Sequence, residues 1–167
     1  RLTDIRLVDT GSFPSNGLDT ISTEMAFVYG PLSFQGEILY NFTDADAEGD
    51  PNFWGYYAYL SYLLTGEPRN YNASRGIFSG VKQTRYFNPK KRQWGSWELG
   101  LRYSYLDLND GGINGGKQNN LTAGLNWYFT QNVRLMFNYL NVHVKDRESP
   151  AVDKGDAHIF QGRFQIV

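Results

Sequence analysis

The sequence predicts an all-β fold: an antiparallel transmembrane β-barrel segment of seven or eight strands. Three observations carry this. In GSWELGLRYSYLDLND, Trp97, Leu99, Leu101, Tyr103 and Tyr105 alternate with Glu98, Gly100, Arg102 and Ser104. Successive side chains of a strand point to opposite faces, so this alternation describes a sheet whose two faces meet different solvents. Most of the alternating segments have about the 9–11 residues that a tilted strand needs to cross a bilayer, against five or six in a soluble sheet. Their connections alternate between tight turns and long polar loops, as in bacterial barrels.

Taken in order, strands are expected over 21–29, 32–42, 53–64, 96–106, 119–129, 133–144 and 157–167, with an eighth over 2–8. The first pair shares the two-residue turn Gly30-Pro31, which sets Met25, Phe27 and Tyr29 beside Leu32, Phe34, Ile38 and Tyr40. The opposite face then carries Glu24, Ser33, Gln35, Glu37 and Asn41. Leu121, Ala123, Leu125, Trp127 and Phe129 continue through the turn at 130–132 into Val133, Leu135, Phe137 and Tyr139. The last strand turns Phe160, Phe164 and Ile166 outward and Gln161, Arg163 and Gln165 inward.

Walking the strands up and down places both tight turns at one end and the polar stretches 43–52, 107–118 and 145–156 at the other, periplasmic turns against extracellular loops. The exception is 65–93. Strand parity assigns this long connection, rich in Arg, Lys, Asn and Pro, to the periplasmic end.

Composition narrows the class. A length of 167 residues suits one domain, here a single barrel portion over 1–167, and a net charge of -1 gives no basic signal for a nucleic-acid partner. There is no cysteine, hence no disulfide framework and no thiolate chemistry. Aromatic content of 16% with 18 glycines fits barrel girdles of Tyr, Trp and Phe. No apolar run approaches the roughly 18 residues of a transmembrane helix. The chain opens on Arg1, which reads as a processed mature chain or a fragment.

The stretches VYGPLSFQGEILY, YLSYLLTGEPRNY, GSWELGLRYSYLDLND and LTAGLNWYFTQNVRLMFNYLNV, in that order, resemble the phosphate-selective porins, the porin O and porin P family. The resemblance covers most of the chain from about Val8 onward. It implies the C-terminal half of a sixteen-stranded trimeric porin of the bacterial outer membrane. The family's N-terminal half, with its pore loop and much of its basic constriction, has no counterpart here, so no phosphate-site residue carries over. The family ends on a phenylalanine and this chain on Val167, where the parity of Phe160, Phe164 and Ile166 puts the missing aromatic at the next position.

The candidate site is the polar face. Arg102, Arg163 and Arg134 are the anion-facing candidates, since guanidinium groups bind phosphate oxygens bidentately, with Arg134 beside a turn and the others nearer mid-strand. Glu24, Glu37 and Glu98 share that face. Two readings stay open, a balanced wall of mutually pairing charges and a dedicated anion ladder. The opposed Glu24 and Glu37 call for a cation between them more than for acid–base catalysis, and the chain is not expected to be an enzyme. Asp44, Asp46 and Glu48 imitate part of a calcium loop whose twelfth position, Gly55, is wrong, so an acidic solvated loop is expected and no metal site. Gly111, Gly116 and Lys117 imitate a phosphate loop without its Ser or Thr, and read as a flexible hairpin loop. His143 and His158 come near one another without a third ligand.

The expected function is a passive diffusion channel for small hydrophilic solutes, with an anion or phosphate preference implied by the resemblance. Its partners are the lipid bilayer, two further copies in a homotrimer and small anionic solutes, with no cofactor. The rivals are a small closed eight-stranded barrel with a structural or adhesion role, and a soluble β-sandwich binding module.

Overall fold

Alternating sequence of this kind forms strands because each residue's two faces are satisfied at once, and all seven expected strands are present. The computed structural model describes residues 6–147 and 155–166. In chain order its elements are β1 (Gly17–Tyr29), β2 (Leu32–Asp44), a 3-10 turn (Asp46–Glu48), β3 (Asn52–Leu63), the short β4 (Tyr71–Asn72), β5 (Ile77–Phe78) and β6 (Phe87–Asn88), a 3-10 turn (Pro89–Lys91), β7 (Gln93–Trp94), β8 (Ser96–Asp110), β9 (Ile113–Tyr128), β10 (Val133–Arg147) and β11 (Gly155–Ile166). The seven long strands make one antiparallel sheet, ordered β1-β2-β3-β8-β9-β10-β11, so each pairs with its sequence neighbours among the long strands. The short strands form two separate pairs, β4 with β5 and β6 with β7.

The register keeps each face continuous across the sheet. Tyr29 pairs with Leu32 and Glu24 with Glu37 across the Gly30-Pro31 turn, Trp97 with Trp127, and Arg134 with both Tyr128 and Gln165. Burial runs opposite to that of a soluble sheet. Met25 is 61% exposed and Phe160 81%, whereas Ser61 is 2% exposed and Ser96 0%. A soluble sandwich would hide the first set in a core; here no second large sheet covers it among the described residues.

One connection differs from expectation. Residues 107–118 are not a long flexible loop: β8 runs to Asp110 and β9 starts at Ile113, which pair across a two-residue turn with a register shift between Asp107 and Asn109. Polar composition disguised a hairpin that rises beyond the apolar band. Lys117 reaches Asp107 at 3.2 Å, and Tyr105 Oη donates to the same carboxylate at 2.9 Å. Gly111, at φ 55, lies so close to the Glu48 carbonyl oxygen that no side chain fits, and Gly112 N donates to that oxygen at 3.0 Å. Of the expected eighth strand, residues 6–8 are not extended strand and residues 1–5 lie outside the described set, as do 148–154 of the expected 145–156 loop and Val167.

Residues 6–15 instead lie against the polar face at the far end from the tight turns. Asp9 N donates to Gly115 O at 2.9 Å, and Phe13 meets Phe53 at 6.5 Å between ring centroids.

The entry into β8 depends on one residue. Gly95 has φ 71, and a Cβ there would overlap the Tyr128 carbonyl oxygen. Gly95→Ala therefore imposes both backbone strain and a clash, and is expected to cost more than about 2 kcal/mol. Chemical denaturation in detergent checks this; a loss within experimental error would mean the chain enters β8 differently.

Candidate functional site

The polar face is a wall of neutral groups with a few charges, and residues 67–83 of the connection 65–93 fold onto its tight-turn end. Leu64 N donates to Trp97 O at 2.8 Å, Arg69 N to Gly30 O at 3.1 Å, and Phe87 N to Phe129 O at 2.8 Å, so the connection is stitched to three neighbouring strand ends. Leu63, Val81 and Tyr128 form a small buried cluster beneath it. Gln83 Nε2 adds a hydrogen bond to Tyr128 O at 2.8 Å.

Two carboxylates hold this arrangement. Glu67 is buried and accepts from Ser96 Oγ at 2.6 Å and from Thr65 Oγ1. Burial pushes its carboxyl upward, but the hydrogen bonds from Ser96 and Thr65 outweigh it and hold the group below its ordinary 4.5. Glu98, 1% exposed, accepts from Tyr128 Oη at 2.6 Å, Asn126 Nδ2 at 3.0 Å and Arg69 Nη1 at 3.2 Å. Its ion pair with Arg69 joins residues 29 positions apart, and Arg69 also lies 5.7 Å from the centre of the Phe78 ring. Glu98 is therefore on the expected face but roofed over by the connection rather than open to a lumen.

Arg69 retains an unpartnered Nε. It borders a cavity of about 190 Å³ with Gly80, Val81, Tyr128, Asn132 and Arg134. Arg134 is fixed by two hydrogen bonds to Gln165 Oε1, at 3.1 and 2.9 Å, and lies 5.8 Å from the Tyr128 ring centre. Two guanidinium groups thus border one small space, an arrangement that suits an oxyanion.

The other candidates are placed as follows. Arg102 is exposed and lies over the Tyr57 ring at 4.5 Å, while Arg163 is exposed on β11, so the three arginines share a face but stand on three strands and do not form one cluster. Glu24 and Glu37 are direct partners, yet no Lys, Arg or His comes within 4.0 Å of either among the described residues; Arg102, over Tyr57, is the nearby arginine but not an ion-pair partner. At the opposite end Asp44 and Asp46 group with Asp50 rather than Glu48, all three exposed. His143 pairs with Asp156 while His158 bonds Tyr139 Oη at 2.9 Å, so the two histidines take separate partners.

The residues that sequence reasoning passed over are those of the connection itself. Its signal was in plain view: residues 65–93 contain Arg69, Arg75, Lys82, Arg85, Lys90, Lys91 and Arg92 against the single acid Glu67.

Comparison with known proteins agrees with the architecture. A family profile described as phosphate-selective porin O and P matches residues 1–167. Porin O of Pseudomonas aeruginosa is 32% identical over 158 residues, covering 86% of this chain and 34% of that protein. An uncharacterized protein of Caulobacter vibrioides is 34% identical over 134 residues, covering 80% of this chain and 26% of its own. The chain spans about a third or less of the length of these curated relatives.

Removing one partner of a buried pair leaves the other uncompensated. Arg69→Ala is expected to destabilise by about 3–5 kcal/mol, whereas the double change Arg69→Met with Glu98→Gln, which keeps an acceptor for Tyr128 Oη and Asn126 Nδ2, restores part of that loss. Thermal unfolding of the single and double variants checks it; equal losses in both would show that the ion pair is not what holds the connection.

Proposed function

This chain belongs to the phosphate-selective porin O and P family, and from that membership we propose that it forms part of the wall and constriction of an outer-membrane porin that passes small hydrophilic anions, phosphate among them, by passive diffusion. Relatives of this kind are bacterial outer-membrane proteins, and membership favours a channel over an enzyme. The observation that carries the anion preference is the part of the basic connection that lies on the polar face, residues 67–83, which supplies Arg69, Arg75 and Lys82 against the single acid Glu67 to its tight-turn end.

The physics is electrostatic. A solute passing along the polar wall keeps hydrogen-bonding partners in place of water, and the fixed charges at the narrowest point set the barrier for each sign of ion. Glu67 and Glu98 do not cancel the basic excess, since both are buried and engaged in holding the connection. Arg69 and Arg134 border the 190 Å³ cavity as a step on the anion's route. On this reading Arg102 and Arg163 extend the basic wall along the strands, and Glu24 and Glu37 temper it beyond the constriction.

The edges support closure into a barrel. β1 and β11 each have one unpaired side in the seven-stranded sheet. Unpaired backbone groups are untenable in lipid, so further strands complete the barrel. A homotrimer is the assembly we propose on the family resemblance.

The test is the reversal potential of the full natural polypeptide in a planar bilayer under a chloride gradient. Anion selectivity is expected, together with a drop of about two-fold or more in the anion-to-cation permeability ratio when Arg75 and Lys82 are both changed to Gln. A cation-selective pore, or a ratio unmoved by the double change, would contradict the proposal.

A further inference from the structure

The basic excess of the connection is divided between two faces of the sheet. Residues 67–83 lie against the polar face, as the Arg69–Glu98 and Gln83–Tyr128 contacts fix. The β6–β7 hairpin crosses the rim to the apolar face. There the Phe87 ring stands edge-on to Trp127 at 5.6 Å and to Phe129 at 5.2 Å. Trp127 Nε1 donates to Trp94 O at 2.6 Å and its ring stacks on Trp97 at 4.7 Å. Trp94 itself is 58% exposed. The tip of this hairpin carries Lys90, Lys91 and Arg92, all exposed, with no carboxylate within 4.0 Å of any of them among the described residues.

Directly beside the tryptophans the apolar face is hollowed. Trp97 pairs with Trp127, and one row further along the strands Leu99, Leu125, Phe137 and Gly162 are successive cross-strand partners. That step is about 7 Å. Gly162 and Ala123 leave gaps among Leu99, Leu125, Phe137 and Phe160, and the result is an open apolar groove of about 510 Å³.

We infer that the β6–β7 hairpin and this groove together bind one anionic glycerophospholipid, with the headgroup phosphate on Lys90, Lys91 and Arg92, the glycerol region at the tryptophans and an acyl chain in the groove. The inference rests on the outer-membrane reading. Charge chooses the occupant. Basic residues next to an aromatic belt attract anionic lipid headgroups. A second copy of this chain could not neutralise them at the same level, because among the described residues the only acids at the tight-turn end, Glu67 and Glu98, are buried and face the other side of the sheet.

The test uses the full natural polypeptide, reconstituted in vesicles of phosphatidylethanolamine and phosphatidylglycerol in equal amounts and released for native mass spectrometry. Retained phosphatidylglycerol is expected to exceed phosphatidylethanolamine, and the triple change K90Q, K91Q and R92Q is expected to lower that ratio about ten-fold or more. Gly162→Leu fills the groove at a position where an added Cβ meets nothing within 4 Å, and is expected to reduce retention of both lipids. Equal retention of the two headgroups by the unaltered protein, or a preference that survives the triple change, would overturn the inference and leave the outer-membrane reading standing. A protein that stays in solution without detergent and retains neither lipid would overturn both.

Discussion

The structure depends on a single constraint: every second side chain of seven long strands must suit hydrocarbon, and the ones between must suit water. A backbone crossing a membrane has to satisfy its own hydrogen bonds, which the continuous antiparallel ladder does except at its two outer edges. Once the ladder exists, a shift of one residue would exchange the faces completely, so each pairing is pinned by its chemistry. The row Trp97–Trp127 and the neighbouring Glu98–Asn126 show both halves of that choice in adjacent residues.

The second layer of organisation is what the polar face does with its space. Two segments, 6–15 at one end and 67–83 at the other, lie against it instead of leaving the wall bare. The inner segment is held by carboxylates that are desolvated and fully engaged: Glu98 takes three hydrogen bonds and Glu67 accepts from two hydroxyls. This use of acids has an electrical consequence. On the proposed function, acids spent on fixing the connection contribute little to the field that a passing ion would meet, while the exposed Arg75 and Lys82 remain available to it.

The strands were legible because their signal is local: alternation at Met25-Phe27-Tyr29 or Leu121-Ala123-Leu125 needs no knowledge of the rest of the chain. The extension of β8 and β9 to a two-residue turn at Gly111-Gly112 was not, since its polar residues stand where water rather than lipid surrounds the strand and so lose the alternation. The placement of 65–93 was not legible either, because its anchors are long-range. Nothing near Arg69 in sequence announces Glu98, and nothing near Phe87 announces Trp127. Its charge imbalance was readable all along, and only the fold gave that imbalance a place. Among the sequence-derived candidates, Arg134 joined a cavity with an unforeseen partner, whereas Arg102 and Arg163 stayed on separate strands.

The two-solvent sheet can be tested residue by residue, and the absence of cysteine makes the measurement clean. Single cysteines at positions 97 to 105 of β8, spin-labelled in the protein reconstituted in lipid vesicles, would be scored by collision with oxygen and with a water-soluble nickel chelate. Trp97, Leu99, Leu101, Tyr103 and Tyr105 are predicted to favour oxygen, and Gly100, Arg102 and Ser104 the chelate, in strict alternation. Shielding of the apolar positions from both reagents would mean a buried protein core, and free access of the chelate to both faces would mean a sheet in water; either result contradicts the account.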